Sequence, residues 1–395
     1  MKIPFGKPIL DKTDIEGVKK VLKTGILVHG KKTQEFELKF KNFTKSKYSI
    51  STSSCTSAMH LFYFTNKIGP GDEVIVPSQT HLATVHAVEL VGAKPVFVDS
   101  SFIDGNINIK DIEKKITKKT KVITVVHYLG IPVDMPAILK IAKKYKLLVL
   151  EDCALAVGTK INNKHVGTFG DAGAFSFYPV KHMTTAEGGM LITNSTKIAK
   201  EVKSARAFCV NRDYSKRKIP GLYDCDGLGF NYRMSELEAS LGITQLKKIN
   251  VFLRKRKKNF YKLKKVFENN RSFHIPDINK KSFASSYYCF SVIFKNISKS
   301  KRNELINKIN LKGIGTSIYY PHPVPRLNYY KKKYRLNLEN FKNSSIYSDK
   351  NICFPIGPHV DFKKMKYMVA ELKKITKSLW KKYLLLVVPV LLAIT

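Results

Sequence analysis

Acidic residues are scarce in this chain of 395 residues: 30 Asp and Glu stand against 70 Lys and Arg, a formal charge of +40 at pH 7. Such an excess raises nucleic acid or an anionic membrane as partners. Its placement argues against a dedicated nucleic-acid arm, because lysines are scattered through helical stretches such as "LKKINVFLRKRKKNFYKLKK". Arginine, the better reader of bases and phosphates, is in the minority. Lysine-rich solvated faces account for the charge, and no nucleic acid is expected. An anionic small substrate would still benefit from the field. Cysteine is sparse as well. The six, at 55, 153, 209, 225, 289 and 353, include no CxxC pair and no zinc spacing. They are expected to be reduced, with no metal bound, in a cytoplasmic protein. The first residues, "MKIPFGKPILDKTDIEG", lack the apolar core of a secretory signal. A membrane-spanning helix needs about 20 apolar residues. The terminal run "YLLLVVPVLLAIT", Tyr383 to Thr395, is shorter and contains Pro389. It reads as a membrane-touching tail, a buried terminal segment or a frame-shifted end.

What is present points to a folded α/β protein. Hydrophobic residues make up 44% of the chain, enough for a full core. Short Val- and Ile-rich runs alternate with helical ones: "KYSIST", "DEVIVPS", "KPVFVD", "KVITVVH" and "LLVLED" are each followed by a helical or loop stretch. Runs with so little alternation are buried on both faces, and strand–helix alternation implies a mostly parallel sheet between helices. Ligands of such sheets bind beyond the carboxyl ends of the strands. A long helix is expected from about Met234 to Asn269, followed by a smaller C-terminal α/β part. There "YYCFSVIF" and "GTSIYY" read as strands and "SKRNELINKINLKG" as a helix ending at Gly313. The expected organisation is a large domain over 1–250, a small one over 251–380 and the apolar tail over 381–395.

Three stretches carry candidate chemistry. "LLVLEDCALAVG" places Asp152 just past a strand end, as a metal ligand, a general base, a partner for a cationic ring, or a merely solvated acid. "STSSCTSAMHL" gathers Ser54, Thr56 and Ser57 at a strand-to-helix junction, where free N–H groups and the helix dipole suit a phosphate; simple N-capping is the other reading. "GAFSFYPVKHMTTAEGGM" holds Ser176 and Lys181, the only lysine between Lys164 and Lys197. A lysine among apolar groups has a depressed pKa that suits Schiff-base chemistry, unless its head reaches water. Together, a phosphate cradle, an acid for a ring nitrogen and a lysine for an aldehyde match the needs of pyridoxal phosphate.

The order and wording of "EDCALAVG", "VGTFGDAGAFSFYPVK", "TTAEGGMLITN", "GLGFNYRMSELEASLGITQL" and "GIGTSIYYPHPVP" resemble the DegT/DnrJ/StrS family of sugar aminotransferases, from about Ile3 to Leu379. The resemblance implies pyridoxal-phosphate fold type I, the architecture of aspartate aminotransferase. By the same resemblance Lys181 is the Schiff-base lysine and Asp152 the partner of the pyridinium nitrogen. Thr56, Ser57 and Ser176 are phosphate ligands, and His81 takes the place of the aromatic ring stacked on the cofactor. Asn231 reaches the phosphate of a neighbouring subunit, so the resemblance implies a homodimer with shared active sites. Tyr319, Tyr320, His322 and Arg326, with "KTGILVHG", are candidates to line the substrate cleft. The implied reaction moves an amino group from an amino acid, glutamate by resemblance, to a nucleotide-diphosphate keto-sugar. The alternatives are a nucleotide-sugar dehydratase on the same scaffold and a non-catalytic regulator or membrane-attached binding protein. Two positions depart from the family. Leu155 stands where Gln, His or Glu is usual three residues after the aspartate, and Cys55 where glycine is frequent. A dehydratase branch has His in place of the lysine; here Lys181 is kept and His182 follows it.

Overall fold

A computed structural model describes residues 1–211, 219, 221–278 and 280–375. The apolar stretch over 381–395 lies outside them. The main sheet is built from β1 (Tyr48–Thr52), β2 (Glu73–Pro77), β3 (Lys94–Val98), β4 (Thr120–Val126) and β5 (Leu148–Asp152). After a small hairpin of β6 (Lys160–Ile161) and β7 (Lys164–His165) come β8 (Ala172–Ser176) and β9 (Gly189–Thr193). The order across the sheet is β1-β9-β8-β5-β4-β2-β3, and β9 is antiparallel to both its neighbours. The other pairings are parallel. Every residue of β2 and β8 is buried, as expected for strands covered on both faces.

The helices before and among these strands are α1 (Lys12–Thr24), α2 (Lys31–Thr44), α3 (Cys55–Thr65), α4 (Leu82–Leu90), α5 (Ile109–Ile112), α6 (Met135–Tyr145) and α7 (Thr196–Ala205). Successive strand side chains point to opposite faces. Val74 and Val76 therefore enter a core with Ala58, Phe62, Val85 and Val202 of α3, α4 and α7. Ile75 enters the other, with Phe36 and Phe40 of α2 and Ile138 of α6.

Helix α8 (Glu236–Phe267) starts at a capping box in which Ser235 and Glu238 exchange side-chain and backbone hydrogen bonds. It runs unbroken through the boundary expected at residue 250. Its first half packs Ala239, Ile243, Leu246 and Ile249 into the α2 core. Its second half gives Phe260, Leu263 and Phe267 to a third core around a small sheet. That sheet comprises β10 (Phe273–His274), β12 (Phe290–Phe294) and β13 (Asn351–Phe354), while β11 (Phe283–Ala284) joins β6. The remaining named helices are α9 (Lys299–Leu311), α10 (Asn328–Tyr334) and α11 (Lys342–Lys350). The chain crosses between the cores at both ends. Ile3 packs in the third core, and Val324, Tyr330 and Phe341 return to the α3 core. "GTSIYY" forms no strand, only an isolated bridge at Ser317, with another at Ile314 just before it. One reason is that the Tyr319 carbonyl is taken by side chains: Gln79 Nε2 at 2.8 Å, Asn351 Nδ2 at 3.0 Å and the Tyr128 hydroxyl. Among the described residues no helix is long and apolar enough to cross a membrane.

Candidate active site

The carboxyl edge of the main sheet brings the candidate residues together. Thr52, Asp152 and Ser176 each end a strand there, and Gly189, the first residue of β9, pairs with both Thr52 and Ser176. Beyond Thr52 the chain turns into α3. Ser54 caps that helix: its Oγ accepts the Ser57 N–H at 3.0 Å, and Ser57 Oγ accepts the Ser54 N–H at 2.9 Å. The N-capping reading of these hydroxyls is thus realised, without removing the helix dipole or the first-turn N–H groups that attract an anion. Thr56 is half-buried beside them. Glycine is required at 189 because a Cβ there would lie 2.3 Å from the Ser54 carbonyl carbon and oxygen and 2.5 Å from Cys55 N. The 188–189 turn is therefore pressed directly onto the start of α3.

Asp152 is buried, and its carboxylate is held at both oxygens. Thr84 Oγ1 donates to Oδ2 at 2.7 Å and the Ala154 N–H donates to Oδ1 at 3.0 Å. Thr80 in turn lies 2.7 Å from Thr84. Lys181 sits in the loop after β8, its N–H bonded to the Tyr178 carbonyl at 2.9 Å. Its Nζ is 5.6 Å from the centre of the Tyr288 ring. Burial lowers its pKa, while the nearby Cys55 thiol and Asp152 carboxylate act in the opposite direction. A lysine so placed offers a neutral amine at lower pH than a surface lysine does, which is what a nucleophile or general base requires.

His81 is the N-cap of α4, its Nδ1 accepting the Ala83 N–H at 3.2 Å. Its ring meets Tyr320 edge-on at 5.8 Å, and its pKa is lowered by burial and by Lys181 against an opposing effect of Asp152. Tyr319 reaches the same group through its hydroxyl, 2.7 Å from that of Tyr288. The other cleft candidates gather elsewhere. Arg326 makes a two-pronged ion pair with Asp349, at 2.9 and 3.1 Å, and His322 lies by that pair and Lys299. The guanidinium is spent on this pair, and among the described residues no hydrogen bond or ring contact ties either side chain to Lys181. Asn231 is exposed and joined to Ala207 by a backbone bridge.

Several contributors escaped sequence reasoning. Thr84 was visible as a hydroxyl in the apolar helix "LATVHAVEL", but nothing local aimed it at Asp152. Tyr288 and Arg256 come from distant segments. Arg256 is buried, donates to the Tyr288 carbonyl at 2.5 Å, and is pulled down to a pKa of about 10 chiefly by burial. Leu155 is fully buried in an apolar cluster with Tyr128, Leu129 and Tyr288. All six cysteines are free thiols.

His127, Glu151 and Cys153 form a compact buried group of metal-ligating types. The Val133 N–H donates to His127 Nδ1 at 3.1 Å, so Nε2 carries the proton it gives to Glu151 at 3.0 Å. Glu151 also accepts the N–H groups of Gly167, Phe169 and Gly170 at 2.7–2.8 Å. The imidazole and carboxylate that a metal would need are already used in tying β4, β5 and the 167–170 turn together.

Compared with known proteins, residues 8–373 match the DegT/DnrJ/EryC1/StrS aminotransferase family. The GDP-perosamine synthase of Escherichia coli O157:H7 is 37% identical over 344 residues, covering 84% of this chain and 88% of that protein. Among solved structures, a putative sugar aminotransferase, Spr1654 of Streptococcus pneumoniae in its PMP form, superposes with a TM-score of 0.90 at 26% identity. It covers 95% of this chain and 100% of that one. Helicobacter pylori PseC, an aminotransferase of pseudoaminic acid biosynthesis, gives 0.89 at 26% identity, covering 96% and 100%.

Proposed function

We propose that this chain, which belongs to the DegT/DnrJ/EryC1/StrS aminotransferase family, transfers the amino group of an amino acid, glutamate in the first instance, to a keto-sugar carried on a nucleoside diphosphate, for amino-sugar and surface-polysaccharide synthesis. Membership makes it a pyridoxal-phosphate-dependent transaminase. The names of its relatives, a GDP-perosamine synthase and an aminotransferase of pseudoaminic acid synthesis, support the sugar substrate.

The residues present fit the cofactor. A half-buried lysine stands near a buried carboxylate, and a helix N-terminus rich in hydroxyls lies at the same sheet edge. When bound, pyridoxal phosphate supplies an aldehyde for amines and a protonated ring that accepts electrons from a breaking C–H bond. Lys181 is the residue that would hold the aldehyde and, once free, take a proton from one carbon and return it to another. Asp152, fixed by Thr84 and the Ala154 N–H, would keep the ring nitrogen protonated. Ser57, Thr56, Ser176 and the first turn of α3 would hold the phosphate, and His81 would cover the ring. In this reading Asn231 serves the partner's phosphate across a homodimer interface; its exposure supports that placement.

The observation that carries the reading is the convergence of Lys181, Asp152 and the α3 N-terminus from three distant segments on one sheet edge. The test is to mix purified protein, pyridoxal phosphate and glutamate with a panel of nucleotide keto-sugars, and to identify products by mass and NMR. An amino sugar is expected; a deoxy sugar without nitrogen would refute the transfer. Lys181→Ala should lose both the product and the visible absorbance of the bound cofactor.

A further inference from the structure

The loop that carries Lys181 is docked on the segment before β12 by two successive residues. Lys181 Nζ lies 5.6 Å from the centre of the Tyr288 ring. His182 Nε2 donates to the Ser286 carbonyl at 3.2 Å, and its ring meets that of Tyr288 at 5.6 Å. Tyr288 is buried and held at three points. Its N–H donates to the Leu129 carbonyl at 3.1 Å, its carbonyl accepts from Arg256 Nη1 at 2.5 Å, and its hydroxyl lies 2.7 Å from that of Tyr319. Arg256 also faces the ring, its guanidinium carbon 5.9 Å from the centre. The bond to Tyr288 is its anchor, for its Nε is buried with no hydrogen-bond partner among the described residues. With Lys7, Lys181, His182 and Gln245 it lines a narrow cavity beside the loop.

An aromatic face within about 6 Å attracts an ammonium, more strongly away from water. Burial works against the charged amine of Lys181, while the Cys55 thiol at the start of α3 and Asp152 at the end of β5 work for it. The Tyr288 face joins the second group. His81 at the start of α4 and His182 are further titratable groups that feel Lys181, and Arg256 and Lys7 add positive charge on the cavity side. Near neutral pH a guanidinium keeps its proton, so of the two cations on the ring only the lysine can exchange one. We propose that Tyr288 is a positioning residue for Lys181: its ring, locked by Arg256, seats the amine whenever that amine is not joined to the cofactor. The seat rests on Lys181 being the aldehyde-holding lysine of the proposed function. A seated amine stays within reach of the carbons between which it moves a proton, whereas an unseated one is free to explore the rotamers of a four-carbon stem.

Trace acetylation of the full chain freed of cofactor, over a range of pH, with the Lys181 peptide read by mass spectrometry, tests it. The pH of half-maximal reactivity reports the proton affinity of the amine, whatever the access of the reagent. Tyr288→Leu removes the face that favours the ammonium, so the half-point should fall by about half a pH unit, giving about threefold more neutral amine at a given pH. Tyr288→Phe keeps the ring and should keep the wild-type half-point. Arg256→Met should move the half-point the same way by less, and Arg256→Lys, which can still donate to the carbonyl, by less again. Arg256→Met added to Tyr288→Leu should move it no further. In the loaded enzyme Tyr288→Leu should lower kcat by about tenfold or more and leave KM for the amino acceptor within about twofold. Circular dichroism checks that each variant is folded. A half-point unmoved or raised by Tyr288→Leu would show a ring that only excludes water, and would overturn the seat. A rise in Arg256→Met, or a further shift in the double variant, would show the guanidinium acting by its own charge and overturn its route through Tyr288. Failure of the lysine assignment shows separately, as visible cofactor absorbance that survives Lys181→Ala.

Discussion

Replacing Gly189 by Ala adds one methyl group at the joint between β9 and the start of α3. The backbone at 189 is not left-handed, so alanine brings no torsional strain, and the effect is steric. The added Cβ would lie 2.3 Å from the Ser54 carbonyl and 2.5 Å from Cys55 N, against 3.4 Å for ordinary contact. Both obstacles are backbone atoms, which cannot swing aside as a side chain would. The strand and the helix must part by roughly 1 Å, at an overpacking cost of about 1–3 kcal/mol. Displacement of that size in a positioning element lowers function by on the order of 10²-fold. The shift falls first on the α3 N-terminus, against which the added methyl presses; Lys181 lies eight residues earlier in the loop that ends at Gly189, so the phosphate-bearing ligand should lose more than the aldehyde alone. Titrations of Gly189→Ala, followed by visible absorbance, should show pyridoxal phosphate affinity falling by tens-fold, while pyridoxal, which lacks the phosphate, binds nearly as before. The melting temperature should fall as well. Equal losses for the two ligands, or none for either, would refute the placement of the phosphate at α3.

Three further outcomes follow from named contacts. Glu151→Gln turns one acceptor oxygen into a donor facing backbone N–H groups or His127, and should cost about 3 kcal/mol in chemical denaturation. Burial pushes the Glu151 carboxyl up, but His127 and the backbone donors outweigh it and hold the pKa below the usual value. Its stabilisation is thus present above the ordinary carboxylate pKa and is lost as pH falls through the lowered one. The wild type's advantage over the variant should therefore shrink in acid, and an advantage independent of pH would be the contrary result. Leu155→Gln buries an amide in the apolar cluster of Tyr128, Leu129 and Tyr288 and should destabilise by about 1–3 kcal/mol; an unchanged melting temperature would count against that packing. On the shared-site homodimer proposed above, separately inactive Lys181→Ala and Asn231→Ala chains, mixed and allowed to exchange subunits, should recover about a quarter of wild-type activity, because half the dimers would be mixed and each would have one intact site. No recovery despite demonstrated exchange would place Asn231 outside a shared site.

The sequence by itself determined the α/β alternation and the long helix. Strands buried on both faces must be apolar throughout, and a helix start must supply its own caps, so both leave local marks. It also determined the chemistry on offer: Lys181, Asp152 and the serines at 54 and 57 were legible because a lone lysine amid small and aromatic residues, an acid at a strand end and hydroxyls at a strand–helix turn are each local patterns. Tertiary structure decided what those patterns meet. Nothing in "LATVHAVEL" announces that Thr84 holds Asp152, because the two are joined only where α4 crosses the end of β5. The strand expected in "GTSIYY" failed for the same reason: side chains from Gln79, Tyr128 and Asn351 took the carbonyl that a neighbouring strand would have used. Arg326 looked available until folding set Asp349 against it. The boundary placed at residue 250 falls inside α8, which gives residues up to Ile249 to one core and residues from Phe260 to another. Propensity, caps and burial are written within a turn or a strand of each residue; the partner of a buried charge is chosen by whichever distant segment the packed sheet brings beside it.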